Sequence, residues 1–326
     1  VPDAPPVAGL RFRGFRGDGE FEEMHEVIKV ADEFDKDDFL ETLDDLKRNY
    51  KYLFHCDRFR DMLMAEVDGK LIGYSRVWWT EKLKGGLNYN HFVVMHPDWR
   101  GKGIRRAMLR WNEGRLGRIA ASQEGPSKEY QVYASEHEAD WIGLVESEGY
   151  EVVRYSFIMV RPDMEDIPDI PLPAGLEVRP VTPDDYRKVW EADVEACRDS
   201  WEMVKTVEEW YRYWLDSHEF QPEKWQVAWD GDKVAGAVQP FINEEENKLF
   251  NRKRGYTENI HVGREWRKKG VAKALIARSL HLLKDLGMEE ACLGVDAENP
   301  TGALHVYQSM GFNEVRRYMT FRKPLE

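Results

Sequence analysis

A mixed α/β fold written twice is what this 326-residue chain predicts. Three observations lead there. The first is an internal repeat of domain length. "GLRFRGF" from Gly9 is matched by "GLEVRPV" from Gly175, "AEVDGKLIGY" from Ala65 by "AWDGDKVAGA" from Ala228, and "DWRGKG" from Asp98 by "EWRKKG" from Glu265. "EGYEVVRYSFIMVRP" ends one copy and "MGFNEVRRYMTFRKP" the other, with all offsets between 162 and 167 residues. The second is the Asp-Gly pair inside "VDGKL" and "WDGDKV", a hairpin signal between apolar runs. The third is a strand pattern that passes through a basic turn with glycine into a helical pattern. Hairpins and strand–helix–strand units in one copy imply a mixed sheet, so the class is α/β with α+β character.

Taken in order, each copy opens with a strand and continues with one or two helices, which in the second copy fall within Pro183 to Asp216. A strand pair around the Asp-Gly turn follows, then another strand, the basic loop and a long helix. In the second copy this helix offers Ile276, Leu280, Leu283 and Leu286 on one face, and Gly287 ends it. "EEACLGV" reads as the next strand, before a short helix and a closing strand. Residues 161–175, "RPDMEDIPDIPLPAG", hold four prolines and four acids without periodicity and read as an extended linker. Domains are therefore expected over residues 1–165 and 172–326. "NEEENKLFNRKR", residues 243–254, reads as a long polar loop between strands.

Composition narrows the classes of function. Apolar residues make up 42% of the chain, enough for a core in each copy, and the 33% charged residues are mixed in sign, as in a globular protein. A net charge of −13 argues against the basic face that nucleic-acid binding needs. An acidic balance favours a cationic small molecule or a basic partner, and also aids solubility. Cys56, Cys197 and Cys292 are far apart and odd in number, with neither a disulfide framework nor metal-ligand spacing. Apolar runs stop short of the ~20 residues of a membrane span, and no basic, apolar leader opens the sequence. The expectation is a cytoplasmic monomer or homodimer without metal, membrane or nucleic-acid partner.

Helix starts leave backbone N–H groups unpaired, and the aligned peptide dipoles add positive charge there. A strand–loop–helix turn is thus a seat for phosphate. In "ENIHVGREWRKKGVAKALIARSL", residues 258–280, Arg267, Lys268 and Lys269 supply charge and Gly270 opens the backbone to an anion. Alone, the same residues also read as an ordinary helix start with solvated lysines. The spacing Arg267-x-x-Gly270-x-Ala272 after a strand resembles the pyrophosphate loop of the GNAT superfamily of N-acetyltransferases. "ENPTGALHVYQSMGF", with Asn299, Ala303, Tyr307, Gly311 and Phe312 in order, resembles that family's second signature. The resemblance covers nearly all of residues 175–326 and, through the repeat, the first copy.

The resemblance implies two tandem GNAT-like acyl-CoA N-acyltransferase domains. It implies acetyl-CoA as co-substrate, held at Ile260, His261, Val262, Arg267, Lys268, Lys269, Gly270, Val271, Ala272 and Asn299. It implies a primary amine of a small cationic molecule or a peptide as acceptor. Alkyl amines are mostly protonated at neutral pH, and a carboxylate, directly or through water, can take the proton; Glu258 stands where the family flanks the thioester. Backbone N–H groups of Ile260 to Val262 would meet the developing oxyanion. Tyr307 stands where the family keeps the acid for the leaving thiolate. Without the resemblance, Glu258 reads as an exposed strand carboxylate and Tyr307 as a packed aromatic. Asn299 reads equally as a ligand of the pantetheine or as a helix cap.

The first copy departs from this pattern. Its loop reads Arg100, Gly101, Lys102, Gly103, Ile104, Arg105, with Arg105 where the family has a small residue. That side chain either crowds a pyrophosphate or reaches round to pair with it. His91 aligns with Glu258 and Val145 with Tyr307, and a valine donates no proton. The first copy is therefore expected to be a scaffold, with its loop a doubtful second cofactor site. For the acceptor, residues 191–214 offer Glu195, Asp199, Trp201, Glu202, Trp210, Tyr211 and Trp214. Acids among aromatics suit a cation, and they equally suit an amphipathic helix with a solvated acidic face. A non-catalytic acyl-CoA-binding module and a transferase of another acyl group, such as an aminoacyl unit, are the competing readings. Intact Glu258 and Tyr307 oppose the first, and the pyrophosphate loop opposes the second.

Overall fold

The computed structural model describes residues 1, 3–37, 39–125, 127–201 and 203–325. The chain begins β1 (Leu10–Arg13), α1 (Phe21–Asp35), α2 (Leu43–Lys51), β2 (Met62–Val67), β3 (Lys70–Glu81) and β4 (Leu87–Met95). It continues α3 (Ile104–Ala120), β5 (Lys128–Ser135), α4 (Ala139–Ser147) and β6 (Glu151–Arg161). The second copy runs β7 (Glu177–Val178), α5 (Tyr186–Ala196), α6 (Glu208–Leu215), β8 (Gln226–Asp230) and β9 (Lys233–Phe241). It ends α7 (Glu244–Leu249), β10 (Arg254–Val262), α8 (Val271–Asp285), β11 (Glu290–Asp296), α9 (Ala303–Ser309) and β12 (Asn313–Pro324). Among the described residues, no helix is long and apolar enough to cross a membrane.

These elements form two compact units, one of residues 1–154, 207–213 and 318–326, the other of residues 155–206 and 214–317. In the first unit the sheet order is β1-β2-β3-β4-β5-β12, with β4 and β5 parallel and the other neighbours antiparallel. In the second unit it is β7-β8-β9-β10-β11-β6, with β10 and β11 parallel. The mixed sheet expected from sequence is thus present twice. The units are not cut from the chain at residue 165, however. Ser156 to Arg161 pair with β11, and Tyr318 to Pro324 pair with β5. Each unit takes its closing strand from the other copy of the repeat. "VVRYSFIMVR" and "EVRRYMTFRK" have nearly the same pattern, so sequence alone does not choose between their partners.

The hairpin turns form as their composition demands. Asp68 (φ +49°) and Gly69 (φ +82°) make the two-residue turn between Val67 and Lys70, where both positions need left-handed backbone. In the second unit α8 packs Leu275, Ile276, Leu280 and Leu283 into a core with Leu293, Met310 and Phe312. Leu286, expected on the buried face, is 45% exposed, because the helix has already ended at Asp285. Gly287 (φ +84°) provides the left-handed stop. The proline-rich segment is extended, yet it is laid on the unit: Met164 is buried, and Ile167, Ile170 and Leu172 pack against the same core. Residues 243–254 are not a plain loop. Asn243 accepts from Glu246 N–H and starts α7, and buried Glu246 pairs with Arg252 at 2.6 Å. The asparagine before three acids was the capping signal the loop reading passed over.

Candidate active site

The site of the second unit begins with an irregular strand. β10 and β11 pair only through Arg254, Gly255 and Tyr256, and then part. On its other edge β10 pairs with β9 through Glu258↔Gln239, then resumes at His261↔Ala237. Asn259 and Ile260 are left out of the ladder as a bulge, with Asn259 at φ +48°. A bulge kinks the strand and frees its backbone groups. The result is a slot between β10 and β11 lined by unpaired main chain. Glu258 reaches across it, accepting a 2.8 Å hydrogen bond from Gly294 N–H of β11.

Glu258 is half-buried. Burial, with the nearby charge of Glu219 adding to it, outweighs the Gly294 hydrogen bond and pushes the carboxyl up from 4.5 to about 8. Tyr307 on α9 is buried, its ring edge-on to Phe312 at 6.4 Å. Its phenol is raised above the ordinary value, first by burial and then by the charge of Glu258. Its hydroxyl has no hydrogen-bond partner among the described residues. Gly311, which ends α9 at φ +87°, leaves room for Arg161, whose guanidinium would lie 2.5 Å from a Cβ there. The Gly-aromatic ending of the motif is therefore a packing requirement at this point.

The basic turn follows directly. Gly263 N–H donates to Ala235 O at 2.9 Å, and a Cβ on Gly263 would strike the Trp266 ring at 2.8 Å. Lys268 (φ +60°) and Gly270 (φ +90°) bend the chain into α8. Lys268, Lys269 and Gly270 are exposed, and Gly270 starts the helix without a side-chain cap. Among the described residues, the backbone N–H groups from Lys268 to Ala272 have no acceptor in the chain. Such a cluster of N–H groups at a helix start fits a phosphate. Arg267 faces elsewhere: it donates to Val262 O (3.2 Å), Ala196 O (2.7 Å) and Asp199 (2.7 Å). It clamps the loop, so the turn's main chain and lysines are what remain for an anion. Val271 is buried, and Ala272 keeps the first turn small.

Other expected site residues are occupied within the chain. His261 is buried, with Nδ1 3.2 Å from Asn259 O and 3.3 Å from Asp193, while its Nε2 has no hydrogen-bond partner among the described residues, and Ile260 beside it lies outside the β9 ladder. Asn299 Oδ1 accepts from Thr301 N (2.9 Å) and Oγ1 (2.6 Å) in a local turn, and it does not cap α9, which starts after Gly302 without a side-chain cap. Glu195 and Asp199 do not form an open acidic wall. Both pair with Arg264, Asp199 also with Arg267, and these bonds hold the Asp199 carboxyl below the usual range. Trp214 packs in a core, stacked on Trp225 at 5.2 Å. Trp201 is half-buried, Glu202 lies outside the described residues, and Trp210 and Tyr211 belong to the first unit. The sequence reading passed over Gln239, Gly294 and Glu219, which fall in no motif. The one available signal was a glutamine within the otherwise apolar "VAGAVQPF".

In the first unit the corresponding parts are closed. β4 pairs with β3 from Leu87 to Met95 without a register break, so no bulge forms. His91 is fully buried, with Nε2 2.7 Å from the Tyr150 hydroxyl, and burial holds its imidazole down at about 3. It is a core histidine, neutral throughout the physiological range. Val145 packs in the same unit's core. Arg105 takes neither of the courses expected for it. It turns inward, donating to Val93 O (2.9 and 3.1 Å), pairing with Glu138 and Asp140 (both 3.2 Å) and lying over the Trp141 ring at 4.3 Å. Arg100 clamps as Arg267 does, gripping Asp35 at 2.6 and 2.7 Å. Gly101 (φ +73°), Lys102, Gly103 (φ +80°) and Ile104 repeat the turn, but Lys102 lies over Trp99 and Pro5 packs against Gly103.

The model of the acetyltransferase (GNAT) family matches residues 24–119 and 186–312. Mycothiol acetyltransferase of Geodermatophilus obscurus is 26% identical over 260 residues, 78% of this chain and 79% of the relative. N-alpha-acetyltransferase 30 of Schizosaccharomyces pombe is 32% identical over 107 residues, 33% of this chain and 67% of the relative. A GCN5-related N-acetyltransferase structure from Sphaerobacter thermophilus superposes with TM-score 0.72 at 23% identity, covering 100% of this chain and 97% of that one. A tandem GNAT protein from the clavulanic acid biosynthesis pathway gives 0.68 at 14% identity, over 97% of this chain and 99% of that one. The family's mixed sheet, its two matched regions and the slot of the second unit agree: this chain belongs to the GNAT acetyltransferase family and carries the family's domain twice.

Proposed function

We propose that the second unit is an acetyl-CoA-dependent N-acetyltransferase that acetylates a primary amine of a small molecule or peptide by direct attack on the thioester. The observation that carries this reading is Glu258, a carboxyl pushed up to about 8, standing at the bulge where β10 and β11 part. A base is most effective when its own value lies near the working pH. The residues present fit the co-substrate. The N–H groups of residues 268–272 suit its pyrophosphate, and the parted strands suit its pantetheine arm. Bound there, acetyl-CoA would supply the activated acetyl group.

The chain's own groups then divide the work. Glu258 takes the proton of the amine as the amine attacks. The bulge offers backbone N–H groups of the Ile260–Val262 stretch to the developing negative oxygen, each such donor worth about 3 kcal/mol. Tyr307 keeps its proton through neutral pH, so its hydroxyl is a standing donor to the departing sulfur. Relatives named as mycothiol and N-alpha acetyltransferases support an N-acetylating reading. The sealed first unit favours a non-catalytic role for that copy alone. The test is to offer acetyl-CoA with polyamines, amino sugars, amino acids and peptides and to follow free thiol. Turnover on at least one amine is expected. Tight acetyl-CoA binding with no thiol release on any of them would leave the non-catalytic reading standing.

A further inference from the structure

Beside Glu258 lies a polar group the mechanism does not use. Gln239 is 3% exposed on β9, directly opposite Glu258 in the β9–β10 register. Opposite residues of an antiparallel pair share a face, with Cβ atoms about 5 Å apart. The Gln239 amide cannot turn freely. Trp214 Nε1 lies 3.3 Å from Oε1, and an indole N–H only donates, so the atom facing it is the oxygen. Asn259 Nδ2, swung over by the left-handed bulge, donates to the same oxygen at 3.1 Å. Nε2 is thereby fixed at the other end, where no described residue accepts from it and part of its surface stays open to solvent. Donors held in place without a partner invite an oxygen from outside.

From this geometry we infer that Gln239 is a specificity-determining residue of the second unit, donating to an oxygen of the acceptor while Glu258 receives the amine. This rests on the transferase reading above. Two side chains rooted about 5 Å apart are bridged best by a nitrogen and an oxygen on adjacent carbons. The acceptor class is therefore an amine with a neighbouring hydroxyl or carbonyl: an amino alcohol, an amino sugar or an α-amino amide. A plain alkyl amine leaves the Gln239 donors unmatched, and a site built for an oxygen discriminates against the analogue lacking it.

The experiment compares matched amines with acetyl-CoA: 2-aminoethanol against propylamine, glucosamine against cyclohexylamine, alanine amide against sec-butylamine. The wild type should favour the oxygen-bearing member of at least one pair by about tenfold or more in kcat/KM. Gln239→Glu retains an oxygen for Trp214 and Asn259 but loses the N–H donors. It should remove most of that preference, through KM rather than kcat. Its added charge acts on both members of a pair alike, so the ratio isolates the donor. Trp214→Phe, which frees the amide to turn, should reduce the same ratio less and carries the test if Gln239→Glu does not fold. Equal wild-type rates within every pair, or a preference unchanged in the variants, would overturn the inference alone. Absence of thiol release with every amine would instead overturn the transferase reading, and this inference with it.

Discussion

At one point of the repeat the first copy has Arg105 and the second has Ala272. In the first unit the guanidinium turns in toward Val93 O and is held there by Glu138, Asp140 and Trp141. In the second unit only a methyl leaves that position, and the strand an arginine would have reached carries a bulge instead. Both units have parallel strands that pair briefly, Leu87 to Asn90 with β5 and Arg254 to Tyr256 with β11. The fold therefore makes a cleft in each. What differs is whether side chains fill it. A buried histidine and an inward arginine fill the first, while the second holds a carboxyl raised by burial and a phenol without a partner among the described residues.

The largest effect that would break this comparison is at Glu258. Glu258→Gln should lower kcat/KM by 10²–10⁴-fold, as loss of a general base does. In the wild type, the rising limb of kcat/KM against pH should have its midpoint near about 8, where the carboxyl ionises. A midpoint near 4.5 would show a carboxyl that the fold does not perturb. Stability gives an independent reading. The carboxyl's folded value exceeds its unfolded 4.5, so the folded chain holds an extra proton between 4.5 and about 8. That contribution is complete below 4.5 and is lost as pH rises to about 8. Glu258→Gln cannot ionise, so its thermal midpoint should gain on the wild type's across this window.

Next in size is the pair Tyr307 and Val145, which occupy one position in the two copies. Tyr307→Phe should lower kcat about 10²-fold with little change in acetyl-CoA binding, since only the donor to the leaving sulfur is lost. Val145→Ala should leave turnover per folded molecule unchanged, although it opens a cavity in a packed core. Loss of turnover in the valine variant with its fold intact would reverse the assignment of the working unit.

How much of this was legible in the chain differs between elements and site. The repeat, the Asp-Gly turns and the glycine loop were readable because each depends on backbone conformations that few residue types allow. Gly270 and Gly311 are in the sequence for that reason. The exchange of closing strands was not readable, because β6 and β12 present the same alternation to either partner. Nor was the fate of the charges. Glu195 and Asp199 looked like an acceptor wall, but Arg264 and Arg267 come from a loop distant in sequence and take them. Arg105, by its place in the loop, suggested crowding of a pyrophosphate or pairing with it. Its inward course depends on Trp141 and Glu138, which no local pattern connects to it. Side-chain pairing across long separations is set by tertiary packing, and short patterns do not report it.

Arg105→Ala tests the filled cleft itself. Removing one member of a buried ion pair costs about 3–5 kcal/mol when the partners stay dry. Here Glu138 and Asp140 keep part of their surface in water, so about 2–3 kcal/mol by denaturant titration is the expected loss. Coenzyme A titrated calorimetrically into the wild type should bind once per chain. A second equivalent in the wild type would show that the first cleft is open despite its arginine. A second, weaker equivalent only in the variant would show that Arg105 is what closes it.

The smallest effect should come from Gly270→Ala, and it isolates the backbone from everything around it. A Cβ added at Gly270 meets no atom within 4 Å, so no clash enters. The φ of +90° remains and strains any L side chain by about 1–2 kcal/mol. The chain should therefore lose about 1 kcal/mol of stability. If the N–H groups of residues 268–272 cradle a pyrophosphate, the same methyl sits where the anion must approach, and KM for acetyl-CoA should rise several-fold with kcat preserved. An equal stability loss with unchanged KM would mean that the anion is held by Lys268 and Lys269 alone. The glycine would then be there for the bend into α8, as Gly103 is for the bend into α3.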